Sequence, residues 1–210
     1  MKKWGRFIGL LLFLHAFILS STAWAEWKRP TFRLSKGARA NWRESADLTS
    51  EAIGRMEVDI IRRSGWRLLP FFEARRAVAK DTWSRLELGA ELAVKPFQKF
   101  WPPLSWLTIA HGLYQSWPAP GNDHPEWEIR TTFDIPLPFF KVRSTPAGIY
   151  LMNEYSYNLE QGAGARNETG AGLLVPLPVR HFSLLLGWRH VDRIHFTDMD
   201  QFEGTLIAEF

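Results

Sequence analysis

Histidine and serine side chains are the residues of this chain that could perform acyl chemistry, and the candidates are His111, Ser116, His181, Ser183, His190 and His195. Hydrolysis or transfer of an acyl chain needs a nucleophile and a base within hydrogen-bonding reach of each other. No serine lies in a Gly-x-Ser-x-Gly elbow, and the chain has no His-Glu-x-x-His motif. The sequence therefore identifies no catalytic residue, and a lipid-modifying acyl hydrolase or transferase stays open only as an alternative.

His111 is the most unusual of these residues because it lies between Ile109 and Leu113 at a spacing of two. In a β-strand this spacing places all three side chains on one apolar face. A histidine on a face that contacts lipid could act on a bilayer substrate. A tolerated polar residue without a catalytic role is the favoured interpretation.

Candidate metal ligands gather around one predicted loop, where His190 and His195 are accompanied by Asp192, Asp198 and Asp200. Imidazole and carboxylate groups could bind a divalent cation weakly there. A solvated loop, or a loop in contact with lipopolysaccharide and its counterions, is favoured. Because the chain has no Cys, Cys-ligated zinc, thiolate catalysis and disulfides are excluded. We assign neither a metal nor a cofactor.

Charged and apolar residues alternate with a period of two along most of the chain. From Arg85 to Lys95, one face holds Leu86, Leu88, Ala90, Leu92 and Val94, and the other face holds the charged residues. A strand separates these two sets completely, whereas a helix mixes them. The same alternation predicts strands over 36–48, 55–63, 66–75, 85–95, 104–115, 127–135, 148–157, 169–177, 182–189 and 202–210.

The predicted strands have the length that a tilted membrane-spanning strand needs, which is about nine to eleven residues. We predict an all-β protein, an antiparallel up-and-down transmembrane β-barrel of about ten strands, with eight or twelve strands as alternatives. Pro70 weakens the prediction for 66–75. The apolar face of 36–48 is thin, so an N-terminal extension is an equally good interpretation of that segment.

Mixed charges on the polar face favour a membrane barrel, in which apolar side chains point outward and polar ones point inward. A soluble periplasmic barrel that binds an apolar ligand would have the opposite polarity, and it stays as the second alternative. Opposite charges in a narrow lumen should pair, because an unpaired buried charge is costly. We predict a charged, largely plugged lumen built from Arg55, Glu57, Asp59, Arg85, Glu87, Glu91, Glu128, Arg130, Asp134, Glu154, Arg189 and Glu203.

Two details of the lumen follow from the same assignment of faces. Arg130 and Glu154 lie on adjacent predicted strands and are the pair most expected to form a salt bridge. Small inward residues could leave room for a thin conduit, so a narrow transport role stays open; they are Gly89, Gly112, Gly170, Gly172 and Gly187.

The predicted connections between strands differ at the two ends of the barrel. Those on the outer side lie near 49, 80, 118–123, 161–165 and 195–198 and are mostly polar or Gly-rich. Those on the periplasmic side are short at 64–65 and 178–179. The other two periplasmic connections, 96–103 and 136–146, are longer and rich in Pro and aromatic residues.

Residues 1–25 have the features of a cleaved secretory signal peptide. Lys2, Lys3 and Arg6 precede an apolar run, and the segment ends in Ala23-Trp24-Ala25. Cleavage before Glu26 would leave a mature barrel of residues 26–210. Removing three of the 26 basic residues leaves 23 against 22 acidic ones, and no basic block remains. Nucleic acid is therefore not an expected partner.

The C-terminal strand ends on Phe210, with Leu206, Ala208 and Phe210 on one face. We predict that this face is the signal presented to the barrel-assembly machinery of the bacterial outer membrane. The other expected partners are outer-membrane lipid and lipopolysaccharide, and the protein is expected to be a monomer.

Three short motifs carry a resemblance to a known family. They are Glu128-Ile129-Arg130 followed by Asp134-Ile135-Pro136, then Asn153-Glu154-Tyr155, and finally Gly187-Trp188-Arg189. The stretch 127–210 resembles an uncharacterised family of small Gram-negative outer-membrane barrels, the domain-of-unknown-function 2490 type. The resemblance implies a barrel in the outer membrane and no established activity.

Overall fold

The structure is a computed structural model that describes residues 31–43, 48–63, 65–79, 82–97, 105–118, 123–193 and 198–210. The predicted signal peptide, His195 and most of the predicted 96–103 connection lie outside the described residues. Among the residues that are described, no helix is both long enough and apolar enough to cross a membrane.

Strands make up nearly all of the described chain. They are β1 (Thr31–Arg43), β2 (Leu48–Asp59), β3 (Ile61–Arg63), β4 (Trp66–Ala77), β5 (Thr82–Val94), β6 (Leu107–Pro118), β7 (His124–Val142), β8 (Thr145–Asn158), β9 (Ala163–Pro176), β10 (Phe182–Arg193) and β11 (Met199–Glu209). Each of the ten predicted strand segments overlaps an observed strand.

The sheet closes on itself. Strands from β4 to β11 pair in chain order, β11 pairs with β1, β1 pairs with β2, and β2 pairs back to β4. All of these pairings are antiparallel, and β3 continues β2 along the same partner, β4. The prediction of an antiparallel up-and-down β-barrel of ten strands is therefore confirmed. Closure leaves no unpaired sheet edge within the barrel wall.

The break between β2 and β3 lies opposite Pro70. Glu57 pairs with Phe71, but Ile61 pairs with Leu68, so β2 and β3 carry one residue more than β4 over this interval. An extra residue of this kind is a β-bulge, and bulges are among the few positions where a paired strand tolerates proline. The bulge explains how Pro70 remains within a membrane-length strand.

The wall of the barrel is charged inside and apolar outside. Glu87 and Glu91 are each 4% exposed, while Leu88, on the opposite face of the same strand, is 55% exposed. This polarity is the reverse of that of a soluble protein, whose charged residues face water. It is the polarity that the alternation predicted.

Three local predictions are corrected, or decided between alternatives, by the structure. The described part of segment 36–48 up to Arg43 belongs to a strand, β1, that starts at Thr31, so the alternative of an extension is wrong. The predicted loop 161–165 is a tight turn that ends at Gly162, where φ is 66°, and β9 begins at the next residue. Its glycine supplies the left-handed conformation that most residues disfavour.

The predicted long connection 136–146 is also wrong. Strands β7 and β8 continue towards each other and meet at a tight turn that contains Arg143 and Ser144. Prolines at 136 and 138 argued against a strand, but β6 pairs with β7 only as far as Phe133. Among the described residues, no strand pairs with that side of β7 beyond Asp134, whose N–H donates to the carbonyl oxygen of Trp106, and proline is tolerated on an unpaired side.

Candidate functional site: the charged lumen

We call the two ends of the barrel the Phe210 end and the Asn158 end. The Phe210 end holds Thr31, Phe210 and the turns at Gly65 and Arg143. The Asn158 end holds the turn that follows Asn158, and the sequence analysis predicts that it faces outward from the cell. Inward side chains come from alternate positions of every strand, so barrel closure brings together charges that are far apart in the sequence.

Glu91 on β5 joins two sides of the lumen. Its carboxylate accepts hydrogen bonds from Arg55 on β2 and from Arg130 on β7. The three side chains belong to strands that do not pair with one another, so the contacts reach across the interior. Arg55 also lies over the ring of Phe71, 4.0 Å from its centroid, and this contact fixes the guanidinium from one side.

From Arg55, ion pairs continue along β4 and β5. Arg55 contacts Glu73 at 3.4 Å, and Glu73 contacts Arg75 at 2.6 Å. Arg75 contacts Glu87 at 3.6 Å, and Glu87 contacts Arg85 at 3.1 Å. Each carboxylate therefore lies between two guanidinium groups.

From Arg85, the path returns to Arg130. Arg85 contacts Glu126 at 3.9 Å, and Glu126 contacts Arg166 at 3.5 Å. Arg166 contacts Glu154 at 3.5 Å, and Glu154 contacts Arg130 at 3.7 Å. The last of these is the predicted Arg130–Glu154 pair. We call the closed path the ion-pair circuit; it consists of Glu91, Arg55, Glu73, Arg75, Glu87, Arg85, Glu126, Arg166, Glu154 and Arg130.

A branch extends the ion-pair circuit to the remaining strands. Arg166 contacts Glu168 at 2.9 Å, and Glu168 contacts Arg189 at 3.4 Å. Arg189 contacts Glu203 at 2.9 Å, and Arg39 contacts the same carboxylate at 3.2 Å. The alternation of sign along the whole path offsets the cost of holding these charges out of bulk water.

Four members of this arrangement were missed from the sequence: Arg39, Glu126, Arg166 and Glu168. Glu73 and Arg75 lie on the charged face of the predicted strand 66–75. The strand boundaries explain three of the omissions, since β7 begins at His124 and β9 at Ala163, before the predicted starts, whereas Arg39 lies in the predicted strand 36–48, whose faces were poorly defined. A signal was present for β9, because Arg166 and Glu168 continue the spacing of two that leads to inward Gly170. Following that alternation backwards would have included both residues.

Two tyrosines occupy space beside inward glycines. A Cβ atom on Gly89 would lie 2.3 Å from the Cβ of Tyr114, and one on Gly187 would lie 2.0 Å from the hydroxyl oxygen of Tyr150. The hydroxyl of Tyr114 donates to Glu126 at 2.9 Å, and that of Tyr150 donates to Glu203 at 3.2 Å. Gly89 and Gly187 therefore accommodate these rings, and the space at these two positions is not available to a thin conduit.

The interior differs between its two ends. Towards the Asn158 end, inward Ser116, Ser156 and Glu126 are at most 1% exposed and are not among the residues that line the cavity at the other end. Towards the Phe210 end, the interior contains a cavity of about 830 Å³. Apolar Leu69 and Met152 contribute to its wall, and circuit residues also line it.

Three of the other four predicted lumen residues, Asp59, Glu57 and Asp134, lie near the Phe210 end. Asp59 contacts Arg67 at 2.8 Å, and Glu57 contacts Arg33 at 3.5 Å. Asp134 lines the cavity but is exposed. Glu128 is buried and contacts Arg130 at 3.8 Å. The structure therefore places Asp134 at the mouth of the lumen and Glu128 in its interior.

Among the described candidates, His111 and Ser116 lie on opposite faces of β6. His111 points outward and stacks against Trp127, with ring centroids 6.0 Å apart, whereas Ser116 points into the lumen. His181 lies in a turn and stacks against Phe210, and Ser183 follows on β10.

Of the residues predicted to bind a cation, His190 and Asp200 are in contact with each other in the described part of the chain. Nδ1 of His190 lies 3.2 Å from Asp200, whose carboxylate also accepts a hydrogen bond from Trp188 at 3.1 Å. Asp192 and Asp198 are exposed. Over the described ranges, no group of three or more histidine and acidic side chains is arranged to hold a metal ion.

The predicted assembly face is only partly accessible. Leu206 and Phe210 point outward and are exposed, but Ala208 on the same face is buried. Its two neighbours in the sheet are Leu34 and Phe182, which are larger.

Comparison with known proteins gives a likeness in structure only. No protein-family model matches the chain, and no curated protein matches it. Among solved structures, the chain is similar to the β domain of the Bordetella autotransporter BrkA, with 9% identity and a TM-score of 0.42. It is also similar to the KdgM porin in complex with disordered oligogalacturonate, with 7% identity and a TM-score of 0.44. Each comparison covers 86% of this chain and 99% of the other.

Strand pairing and side-chain polarity define the class of protein, which is a ten-stranded antiparallel β-barrel with an apolar exterior and an ion-paired interior. The resemblance to the domain-of-unknown-function 2490 type remains a prediction.

Proposed function

We propose that the protein is a bacterial outer-membrane β-barrel whose lumen is closed by the ion-pair circuit and whose cavity serves binding at the cell envelope. The observation that carries this proposal is the inverted polarity of the wall. Large apolar side chains cover the outside, and carboxylates and guanidinium groups occupy the interior. A barrel exposed to water on this surface would present a far larger apolar area than soluble monomers do.

Aromatic residues near both ends of the barrel support the same location. Trp188 and Phe202 are exposed towards the Asn158 end, and Phe97 and Phe140 are exposed towards the Phe210 end. Rings of this kind favour the interface between hydrocarbon and water, and membrane barrels carry them as two girdles. The predicted signal peptide over residues 1–25 would supply export to the periplasm.

A closed lumen is supported by the contrast between the two halves of the interior. The layer around Glu126, Tyr114 and Arg166 is filled by side chains that hydrogen-bond to one another. An ion crossing this layer would have to separate buried opposite charges. The cavity on the other side of the layer has a volume within the range of about 300–1,000 Å³ that is typical of ligand sites.

Membrane fractionation and gel mobility test the location. An outer-membrane barrel requires detergent for release, and it migrates faster on a gel before heating than after heating. Release without detergent would contradict the membrane location and would favour the soluble periplasmic barrel.

Planar-bilayer recording tests closure. The wild-type protein should leave bilayers sealed, while Arg166→Gly should produce discrete conductance steps, because this arginine contacts Glu126, Glu154 and Glu168. Arg67→Gly is the matched control, since Arg67 lines the open cavity and is not part of the ion-pair circuit. Steps from the wild-type protein would contradict the closed lumen.

A further inference from the structure

The hairpin formed by the ends of β7 and β8 projects beyond the barrel wall. Strand β7 has 19 residues, but its pairing with β6 stops at Phe133. On the other side, the pairing of β8 with β9 begins only at Gly148. Within the part of the chain that the structure describes, residues 137–147 therefore pair only with one another, at the Phe210 end.

The tip of this hairpin combines exposed rings with exposed cations. An irregularity in the pairing between Leu137 and Lys141 leaves the intervening residues out of the ladder. Phe139 is 84% exposed and Phe140 is 47% exposed. Lys141 and Arg143 are also exposed, and no acidic residue occurs between 136 and 147.

The position of the rings matches the depth of lipid headgroups. Leu137 is the last outward residue of β7 that pairs with β8 before the irregularity. Phe139 follows it by two residues, or about 7 Å of extended chain, which a strand tilt of about 40° reduces to about 5 Å along the membrane normal. The headgroup layer is about 5–7 Å deep on each side of the hydrocarbon.

Charge selects the kind of lipid. Aromatic rings favour the interface of any bilayer, but lysine and arginine are attracted specifically to anionic headgroups. The neighbouring turn at the same end has a similar composition, with Val179 and Arg180 exposed. At the Asn158 end, the turn between β8 and β9 exposes Glu160 and Gln161 instead, which offer no cation.

We propose that the tip of the β7–β8 hairpin, residues 138–143, binds the phosphate headgroups of anionic phospholipids in the leaflet at the Phe210 end. The proposal rests on the proposed membrane location. Phe139 and Phe140 enter the interface, and Lys141 and Arg143 contact the phosphates. Anionic lipid thereby holds one end of the barrel at a fixed depth.

A single-cysteine probe tests this proposal, since the chain has no Cys of its own. Ser144→Cys carries an environment-sensitive fluorophore next to Arg143, in the full chain reconstituted in nanodiscs. One set of nanodiscs contains phosphatidylcholine alone, and the other replaces about a third of it with phosphatidylglycerol. Anionic lipid should shift the emission to shorter wavelength and reduce quenching by acrylamide, an uncharged quencher. High salt should reverse both effects.

Two further variants separate charge from position. With Lys141→Gln and Arg143→Gln together, the response to phosphatidylglycerol should disappear, since each cation strengthens association with an anionic surface roughly fivefold. Gln161→Cys, labelled in the same way at the Asn158 end, should not respond to lipid composition. Equal quenching of the Ser144→Cys probe in both kinds of nanodisc, or an unchanged response in the double variant, overturns the proposal.

Failure of this inference is distinguishable from failure of the proposed function. Each sample is also tested for heat-dependent gel mobility and for co-migration with the nanodisc. A chain that does not enter nanodiscs contradicts the membrane location itself. A chain that enters them, and whose probe ignores the lipid, contradicts only the binding of anionic headgroups.

Discussion

The two halves of the lumen are built by the same strands, yet one is filled and the other is hollow. Towards the Asn158 end, inward positions hold Glu126, Ser116 and Ser156, all of them buried and none of them lining the cavity. Towards the Phe210 end, several inward positions hold alanines, such as Ala93 and Ala110, beside a cavity of about 830 Å³. Because the same strands form both halves, the difference shows that a narrow barrel is not by itself enough to fill the lumen. Closure depends on the layer where arginine, glutamate and tyrosine side chains meet.

The largest expected effect comes from removing the carboxylate that joins the two sides of this layer. Glu91→Leu should lower the free energy of unfolding by about 3 kcal/mol, because buried Arg55 and Arg130 lose a shared counter-charge. Urea unfolding in lipid vesicles, followed by tryptophan emission, measures the change. Glu160→Leu in an exposed turn is the control and should change stability by less than about 0.5 kcal/mol. A loss below about 1 kcal/mol for Glu91→Leu would show that the ion-pair circuit adds little stability.

The next largest effect on stability is expected beside the ring of Tyr114, which fills part of this layer. Gly89→Ala should destabilise the barrel by about 2–3 kcal/mol, since the new Cβ would lie 2.3 Å from the Cβ of Tyr114 and 2.4 Å from the carbonyl oxygen of Leu113. Gly54→Ala is the matched control, because no atom lies within 4 Å of a Cβ built there. The same unfolding assay compares the two variants. Equal stability of the two would mean that Tyr114 does not pack against Gly89 as described.

Added volume should distinguish the filled half from the hollow half. Ser156→Leu introduces a larger side chain at a fully buried inward position and should cost about 1–3 kcal/mol. Thr132→Leu adds a side chain of the same type at a position that lines the cavity, so its cost should be below about 1 kcal/mol. Melting temperatures from heat-dependent gel mobility rank the two variants. The opposite ranking would contradict the assignment of the filled half.

The smallest effect is expected for an acid–base pair outside the lumen. His190 and Asp200 lie 3.2 Å apart and both side chains are about half exposed, at 44% and 47%. An exposed pair contributes little because water screens it, so His190→Ala should change stability by less than about 0.5 kcal/mol. Measuring the free energy of unfolding of His190→Ala and of Glu91→Leu in the same assay compares an exterior ion pair with an interior one. A loss of stability as large as that of Glu91→Leu would mean that the contribution of an ion pair to stability does not depend on whether it lies inside or outside the barrel.

Alternation of side chains predicted the strands because a barrel wall with one apolar and one charged face imposes a period of two on nearly every residue. Leu88 and Glu87 illustrate this, since each lies on the face that the pattern assigned. Strand ends were harder to predict, because hydrogen bonding to a neighbour decides where β7 and β9 begin. Pairing inside the lumen was the least predictable feature. Arg55 and Glu91 meet 36 residues apart across two non-adjacent strands, and no local pattern encodes that contact.

The hairpin over 136–146 shows why one prediction failed. Its prolines normally interrupt a sheet, and within the described part of the chain β6 starts only at Leu107, which leaves that side of β7 without a paired strand. That end is a property of a different segment of the chain. The sequence of the hairpin alone therefore does not contain the information.

The seam between β1 and β11 has a consequence for how the barrel is made. Arg39 meets Glu203 across it, and the two residues are 164 positions apart. Contacts of such large sequence separation form slowly, because the entropy of closing the intervening chain is lost before they contribute. The last strand must therefore arrive before the interior charges find all their partners. Until then water has to solvate them, so under the proposed membrane location the chain should enter the bilayer as a nearly closed cylinder rather than strand by strand.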